Sequence, residues 1–291
     1  REHPDIQGPL EQFASGTAAS VADLLEHGRS ERGVIKALVS SQLDCDRLDY
    51  LLRDSYSTGA RYGQLDLDRI LSAITLAPDG ELAIHPKGLM AVEHYLVVRS
   101  LMYRSVYNHR LNVVCNWLLD QLIRQARLLG PSRIWADRTM QAWLWQTQEL
   151  DLHSYLSNDD LRTGYHFQRW REEAPEPLAD LCDRFLNRRL FKALDVSQME
   201  ASTQLEMLAK AQTYAAAAGL DPEMCCGLRH HQIRGYHPYR GGLRLWDGQS
   251  LQALEQCSPL VNSLAIPAAS AWLIHPGEIS TELTAAIASI R

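Results

Sequence analysis

The chain has 291 residues, 46% of them hydrophobic and 22% charged, with a formal net charge of −6. This length supports one large or two modest domains, and the acidic balance argues against the basic surface that duplex-DNA-binding proteins usually carry. The chain contains 6 cysteines without a CxxC pair, which excludes a zinc framework or disulfide scaffold and predicts reduced thiols in a cytoplasmic protein.

Helical periodicity dominates the first part of the chain. It predicts helices over 19–27, 31–57 (as one or two helices) and 66–73. Two short alternating runs on either side of Pro78-Asp79-Gly80 then predict a small β-hairpin. The following helical run, from about Leu89 to Leu129, is long enough that we expect a break near Tyr107-Asn108.

The second part begins helical and then changes character. The pattern predicts helices over 134–147, from 157–159 onward, over 176–193 and over 199–218; short strands follow from about 224, with a terminal helix over 279–290. We therefore predict a mainly α protein, with a helical body over 1–220 and a small α/β subdomain over 221–291. No apolar run reaches the roughly 18 residues of a membrane span, and we expect no signal peptide.

The segment SSQLDCDRLDYLLRDSYSTG, from Ser40 to Gly59, is the most informative stretch. On a helix, Asp46, Tyr50 and Asp54 form a polar stripe on one face, opposite an apolar face. We call these three residues the first stripe. Asp46 could ligate a divalent cation, Arg47 could bind a phosphate, and Tyr50 and Asp54 could contact a sugar. The alternative is a solvated face with salt bridges between helices. Two further aspartates, Asp44 and Asp49, lie off this face and are predicted to be structural.

A second polar stripe lies in the long helix. Arg99, Tyr103 and Tyr107 follow one another at intervals of four residues. An arginine and two tyrosines are costly to bury without partners, so they predict an anion-binding and aromatic pocket opposite the first stripe. The alternative is a buried Arg–Asp bridge with the tyrosines at its rim.

A third segment, LADLCDRFLNRRLFKAL, concentrates basic residues. Its cations are Arg184, Arg188, Arg189 and Lys192. One interpretation is a helix C-terminus complemented by cations. The other is a phosphate contact, at an oligomer interface or an allosteric nucleotide site, for which Arg188, Arg189 and Lys192 are the candidates.

These segments together resemble the bacterial HD-domain phosphohydrolases, which are relatives of the human SAM-and-HD-domain deoxynucleoside triphosphate triphosphohydrolase. The likeness continues through MYRSVYNHR, GLDPE and CSPLVNSLA and covers nearly all of the chain in order. It implies an HD-domain-like helical body. It also implies roles for single residues: Asp46 as the final metal ligand, Arg47 near the phosphates, Tyr50 and Asp54 at the sugar, Arg99 at the triphosphate, Tyr107 at the sugar and base, and His109 with no assigned role.

The chain departs from the family pattern at the metal site. The family places a lone His, a His-Asp pair and a catalytic His upstream of the final Asp, whereas only His3 and His27 precede Ser40 in this sequence and the chain contains no His-Asp dipeptide. Because one carboxylate does not hold a catalytic ion, we expect either that an upstream part is absent from a chain that starts at Arg1, or that the chemistry has been lost.

The resemblance therefore predicts a metal-dependent phosphohydrolase that acts on nucleotides, most specifically a dNTP triphosphohydrolase, of which this chain is an incomplete and inactive portion. The expected cofactor is a divalent metal, whether Mg, Mn, Fe, Ni or Zn. The expected partners are a nucleotide substrate and further copies of the chain, with no membrane and no nucleic acid. The alternative is a catalytically dead scaffold that senses nucleotides or drives oligomerisation.

Overall fold

The computed structural model describes residues 3–28, 33–233, 235–238 and 242–288. The chain divides into two compact units, one formed by 1–107 with 232–268 and the other by 108–231 with 269–291. Both units are mainly helical and each contains a small sheet. The predicted fold class, mainly α with small β elements, is confirmed.

Helices account for most of the described residues. In chain order the helices are α1 Pro4–Phe13, α2 Thr17–His27, α3 Gly33–Val39, α4 Cys45–Thr58, α5 Leu67–Ala73, α6 Leu89–Met102, α7 Arg110–Leu129, α8 Arg138–Trp145, α9 Leu152–Leu156, α10 Asp160–Glu173, α11 Leu178–Leu186, α12 Ala201–Ala217, α13 Pro222–Cys225, α14 Leu254–Cys257, α15 Pro259–Leu264 and α16 Ser280–Ala288. The strands are β1 Ile74–Leu76, β2 Leu82–Ile84, β3 Lys192–Asp195, β4 Gly227–Ile233, β5 Arg244–Trp246, β6 Leu251–Ala253 and β7 Ala268–His275.

The first unit is built around helices α4 and α6. The apolar face predicted for α4 is confirmed, since Leu48, Leu51 and Ser55 are buried. On α6, Tyr95 and Leu96 are fully buried in the same core. Burying these faces removes apolar area from water, which fixes the rotation of each helix and therefore the direction of its remaining polar side chains.

The predicted β-hairpin is confirmed in the first unit. Strands β1 and β2 pair antiparallel, with Ile74 opposite Ile84. Gly80 takes φ 78° in the turn, where a side chain would be strained. The hairpin belongs to a four-stranded sheet of order β1-β2-β5-β6, because Ile84 also pairs with Leu245 in parallel.

The predicted break in the long helix is confirmed. Helix α6 ends at Met102, a π-helical turn spans Tyr103–Tyr107, and α7 begins at Arg110. His109 caps α7, since its Nδ1 accepts the backbone N–H of Leu111 at 3.3 Å. This gives a structural role to a histidine for which the resemblance supplied none.

The second unit packs α7 and α10–α12 around its own core. Leu118 and Leu122 of α7, Trp170 of α10 and Leu273 of β7 are almost completely buried in it. A three-stranded sheet of order β3-β7-β4 completes the unit, with Ala193 opposite Ile274 in the antiparallel pair β3–β7. None of the described helices is long and apolar enough to span a bilayer.

The two units differ from the predicted division at residue 220. The C-terminal strands do not form a subdomain of their own, because β5 joins the hairpin sheet and β7 joins β3. Strands of three to eight residues need neighbours for stability, and here the neighbours come from distant parts of the chain. The terminal helix α16 is present, but Ser289 and Ile290 of its predicted span lie outside the described residues, as does Arg1.

Candidate functional site

The polar face of α4 carries Asp46, Tyr50 and Asp54, the three residues of the first stripe. Asp46 is exposed in the first turn of the helix, whereas Tyr50 and Asp54 are half-buried one and two turns further on. No described residue donates a hydrogen bond to the Asp46 carboxylate or forms an ion pair with it. The Asp46 carboxylate therefore has no partner among the described residues. It lies at the start of a helix, where the macrodipole favours a negative charge.

The turn before α4 holds the Arg47 side chain. The buried Asp44 carboxylate caps the helix by accepting the Arg47 backbone N–H at 2.8 Å, and it also forms an ion pair with the Arg47 guanidinium. The Ser41 carbonyl accepts a hydrogen bond from the same guanidinium. Arg47 Nε is buried and has no hydrogen-bond partner among the described residues, so one donor of this side chain is unused.

The π-helical turn after α6 brings two tyrosines against α4. The Tyr107 hydroxyl donates to Asp54 Oδ2 at 2.7 Å, and the Tyr103 and Tyr50 hydroxyls are 3.4 Å apart. The Tyr107 ring meets the rings of Tyr103 and Tyr50 edge-on, with centroids 5.1 and 5.8 Å away. We call Tyr50, Tyr103 and Tyr107 the tyrosine cluster; it forms a half-buried aromatic wall next to a carboxylate.

Arg99 is the most unusual member of the site. Its side chain is buried, with 5% of the residue exposed, and its Nη1 donates to the Gln42 side-chain oxygen at 2.8 Å. The guanidinium also lies 5.6 Å from the Tyr103 ring centroid. No carboxylate of the described residues forms an ion pair with Arg99, and its buried Nε has no hydrogen-bond partner there. The alternative of a buried Arg–Asp bridge at Arg99 is therefore not what the described residues form.

The hydroxyl groups of Tyr50 and Tyr107 have raised pKa values. Burial, and then the hydrogen bond with Tyr103, raises the pKa of Tyr50 above its ordinary value. Burial also raises the pKa of Tyr107, and its hydrogen bond to Asp54 adds to the shift. A tyrosine with a raised pKa stays a neutral hydrogen-bond donor, so the wall facing Asp54 adds no negative charge.

The described residues do not by themselves make a metal site. They contain no group of three or more His, Cys, Asp or Glu side chains placed to hold an ion. Asp46 offers one carboxylate, and a catalytic divalent ion takes several protein ligands. Of the two histidines that precede Ser40, His27 has its Nδ1 3.2 Å from Asp23 on its own helix, and His3 has its Nδ1 4.0 Å from Asp5. The donor set within this part of the chain thus does not fit a metal cofactor.

The helix in the basic segment ends earlier than predicted. Helix α11 stops at Leu186, so Arg188 and Arg189 lie in the turn after it and Lys192 lies on β3. Arg184, which is buried, forms ion pairs with Asp180 and Glu278 at 2.6 and 3.1 Å.

The remaining cations of this segment differ in whether a described carboxylate pairs with them. Arg189 is paired with Asp183. The side chains of Arg188 and Lys192 are exposed, and no described carboxylate pairs with them. The structure therefore leaves two free cations among the described residues of this segment rather than four.

The turn after α11 supports a stability prediction at Arg188. The Arg189 N–H returns to the Arg184 carbonyl at 2.9 Å and Arg188 has φ 54°, the left-handed conformation that usually belongs to glycine in such a helix end. We expect Arg188→Gly to raise the free energy of unfolding by about 1 kcal/mol in urea titrations. Arg189→Gly is the matched control and should lower it, because it removes an ion pair and relieves no strain. A loss of stability in Arg188→Gly would contradict this assignment.

Several site residues have no signal of their own in the sequence. Gln42 and Tyr95 lie in the site only because the fold brings the turn before α4 to α6, where the Tyr95 hydroxyl donates to the Gln42 carbonyl at 2.7 Å. Tyr103 lies on the predicted stripe, but its contact with Tyr50 depends on the π-helical turn. Asp44 is structural as predicted, and Asp49 pairs with the exposed Arg53.

Comparison with known proteins places the chain among HD-associated proteins. Residues 65–275 match the family described as "HD associated region". The uncharacterized protein YwfO of Bacillus subtilis is 31% identical over 242 residues, which cover 82% of this chain and 54% of YwfO. The uncharacterized protein MJ1154 of Methanocaldococcus jannaschii is 48% identical over 75 residues, which cover 25% of this chain and 17% of MJ1154. This chain thus spans about half the length of YwfO and less of MJ1154.

Solved structures share the fold. A phosphohydrolase from Bacteroides thetaiotaomicron superposes with a TM-score of 0.75 at 20% identity, over 92% of this chain and 70% of that one. A hypothetical protein from Aquifex aeolicus superposes with a TM-score of 0.72 at 18% identity, over 98% of this chain and 68% of that one. At these identities the likeness establishes a shared fold and nothing further.

Proposed function

The chain belongs to the HD-associated region family, and we propose that it forms the nucleotide-binding part of a metal-dependent phosphohydrolase, most specifically a dNTP triphosphohydrolase. The observation that carries this proposal is the buried Arg99 guanidinium, which contacts a neutral amide and an aromatic ring but has no described carboxylate within ion-pair distance. A buried cation without a counter-ion is costly, and an anionic ligand that enters beside it removes the cost.

The groups around Arg99 favour a phosphate ester over a simple anion. Arg47 supplies a second guanidinium with an unused Nε donor, and planar guanidinium forks suit phosphate oxygens. The tyrosine cluster offers aromatic faces and neutral hydroxyls for a sugar and base. Asp54, which already accepts the Tyr107 hydroxyl, has a further carboxylate oxygen for a sugar hydroxyl. Together these groups would hold a nucleotide by its phosphates at one end and its nucleoside at the other.

The proposed metal site would take ligands from more of the whole protein than this chain supplies. We propose that Asp46 contributes one carboxylate to a divalent-metal site whose other ligands come from a part of the whole protein outside residues 1–291; the identity of the ion among Mg, Mn, Fe, Ni and Zn is not assigned. When bound, such an ion activates water and polarises a phosphoryl group. The residues of this chain bind and orient the nucleotide. A homo-oligomer and a cytoplasmic location stay predictions.

The test uses the full-length protein, loaded in turn with each divalent metal and incubated with deoxynucleoside triphosphates. We expect hydrolysis with at least one metal, and anion-exchange chromatography then separates a triphosphate product from a monophosphate product. If the full-length protein binds metal yet hydrolyses neither nucleotides nor other phosphate esters, the enzymatic function is wrong.

The same experiment tests the alternative of a nucleotide-sensing scaffold. The observation that favours it is the exposed Asp46 carboxylate, which belongs to no group of three or more possible metal ligands among the described residues. In that case the full-length protein binds nucleotide without hydrolysing it, and Asp46→Ala leaves the affinity unchanged. Hydrolysis that depends on Asp46 excludes this alternative.

A further inference from the structure

The turn that precedes α4 contacts both arginines of the candidate site. Ser41 and Asp44 hold the Arg47 guanidinium, as described above. Gln42, in the same turn, is 8% exposed, and its side-chain oxygen accepts the Arg99 Nη1–H at 2.8 Å. Two cations from two helices are thus fixed by three residues of the stretch 41–44.

The turn is itself anchored to the core. The Tyr95 hydroxyl, one helical turn before Arg99 on α6, donates to the Gln42 backbone carbonyl at 2.7 Å. The side chain of Leu43 is almost fully buried in the core of the first unit. The Gln42 amide oxygen is therefore held at a fixed position relative to α6, and so is the guanidinium that donates to it.

The two arginines are held by acceptors of different charge. Arg47 lies against a carboxylate, whereas the acceptor for Arg99 is a neutral amide. An amide oxygen fixes the orientation of a guanidinium but leaves its positive charge available, while a carboxylate at the same place would neutralise it. Of the five N–H donors of the Arg99 guanidinium, one goes to Gln42 and the buried Nε has no partner among the described residues, so donors remain for a ligand.

We propose that Gln42 is a positioning residue for the phosphate-binding Arg99: it orients the guanidinium through a neutral hydrogen bond and so preserves the charge for the substrate. This inference rests on the proposed function, because it takes Arg99 to bind a phosphate. Gln42 itself does not touch the phosphate. The neutrality of Gln42 is the essential property, so a glutamate at this position should compete with the phosphate for the Arg99 guanidinium.

The experiment measures two quantities on this chain, the affinity for inorganic triphosphate in the presence of EDTA and the midpoint of thermal unfolding without ligand. The variants are Gln42→Glu, which keeps size and adds a charge, and Gln42→Met, which removes the acceptor. Gln64→Glu adds the same charge at an exposed position of the same unit and serves as the matched control. Arg99→Met reports whether Arg99 binds the anion at all.

We expect Gln42→Glu to raise the unfolding midpoint, because it gives Arg99 a counter-ion, and to weaken triphosphate binding about tenfold or more. Gln42→Met should weaken binding by a smaller factor and lower the midpoint. A merely structural role would move stability and affinity in the same direction, so the opposite movement in Gln42→Glu is the decisive signature. The control should bind triphosphate within about twofold of the unchanged chain.

The outcomes separate this inference from the proposed function. If Arg99→Met weakens binding but Gln42→Glu does not, Arg99 binds phosphate and the positioning role of Gln42 alone is overturned. If Gln42→Glu weakens binding and lowers the midpoint as well, Gln42 is only a structural residue and the inference is again overturned. If the unchanged chain does not bind triphosphate, or Arg99→Met binds it equally well, the phosphate site itself is wrong and the role of Gln42 falls with it.

Discussion

Arg99→Met is expected to weaken the binding of inorganic triphosphate by about 100-fold, which corresponds to the loss of charge-assisted hydrogen bonds in a site shielded from water. The same substitution should leave the free energy of unfolding unchanged or raise it. Methionine fills a similar volume without the cost of a buried charge, and no described carboxylate is left unpaired when Arg99 is removed. The Gln42 side-chain oxygen loses its Arg99 donor, which offsets part of this gain. Isothermal titration calorimetry and urea titration measure the two quantities.

The matched control for Arg99→Met is Arg53→Met on α4. Arg53 is exposed, and among the described residues the one carboxylate that pairs with it is Asp49 on its own helix. Exposed pairs of this kind contribute at most about 1 kcal/mol, so the control should bind triphosphate with nearly the original affinity. A large loss of stability in Arg99→Met together with unchanged affinity would make Arg99 a structural residue.

Gly63→Ala is expected to lower the free energy of unfolding by about 3 kcal/mol and to weaken nucleotide binding through α4. A Cβ at Gly63 would lie 2.3 Å from the Ser55 Cβ and 2.5 Å from the Leu51 carbonyl oxygen, both of which belong to α4. The Gly63 N–H also donates to Ser55 Oγ at 3.1 Å. Because a helix backbone atom cannot move alone, relief of the clash requires a shift of the helix that carries the site.

Gly164→Ala in α10 is the control for this substitution. A Cβ at Gly164 meets no atom within 4 Å, and alanine favours a helix over glycine by up to about 1 kcal/mol. The control should therefore be slightly more stable than the unchanged chain in urea titrations. If Gly63→Ala were equally well tolerated, the close packing of this glycine against α4 would be incorrect.

Local patterns were sufficient to predict the elements that carry the site. The buried face of α4 follows from the helical spacing of Leu48, Leu51 and Ser55. The β1–β2 hairpin follows from the turn residues at 78–80, and the end of α6 from the excessive length of the apolar run. Each of these features depends on residues within one or two turns of one another, which is the range over which sequence spacing is informative.

Features that depend on distant segments could not be predicted in this way. The hydrogen bond between Gln42 and Arg99 joins residues 57 positions apart, and nothing in either segment alone indicates the other. The pairing of β3 with β7 likewise joins 192–195 to 272–275, so a boundary at 220 does not describe the two units. The contact between Tyr103 and Tyr50 depends on a π-helical turn, for which the sequence carries no simple signature.

The most direct test of phosphate binding by Arg99 is a crystal structure of this chain with a non-hydrolysable deoxynucleoside triphosphate. We expect a phosphate oxygen at about 3 Å from a guanidinium nitrogen of Arg99, with the nucleoside against the tyrosine cluster. The Gln42–Arg99 hydrogen bond should persist in the complex. A nucleotide bound elsewhere on the chain, without a contact to the Arg99 guanidinium, would contradict the proposed site.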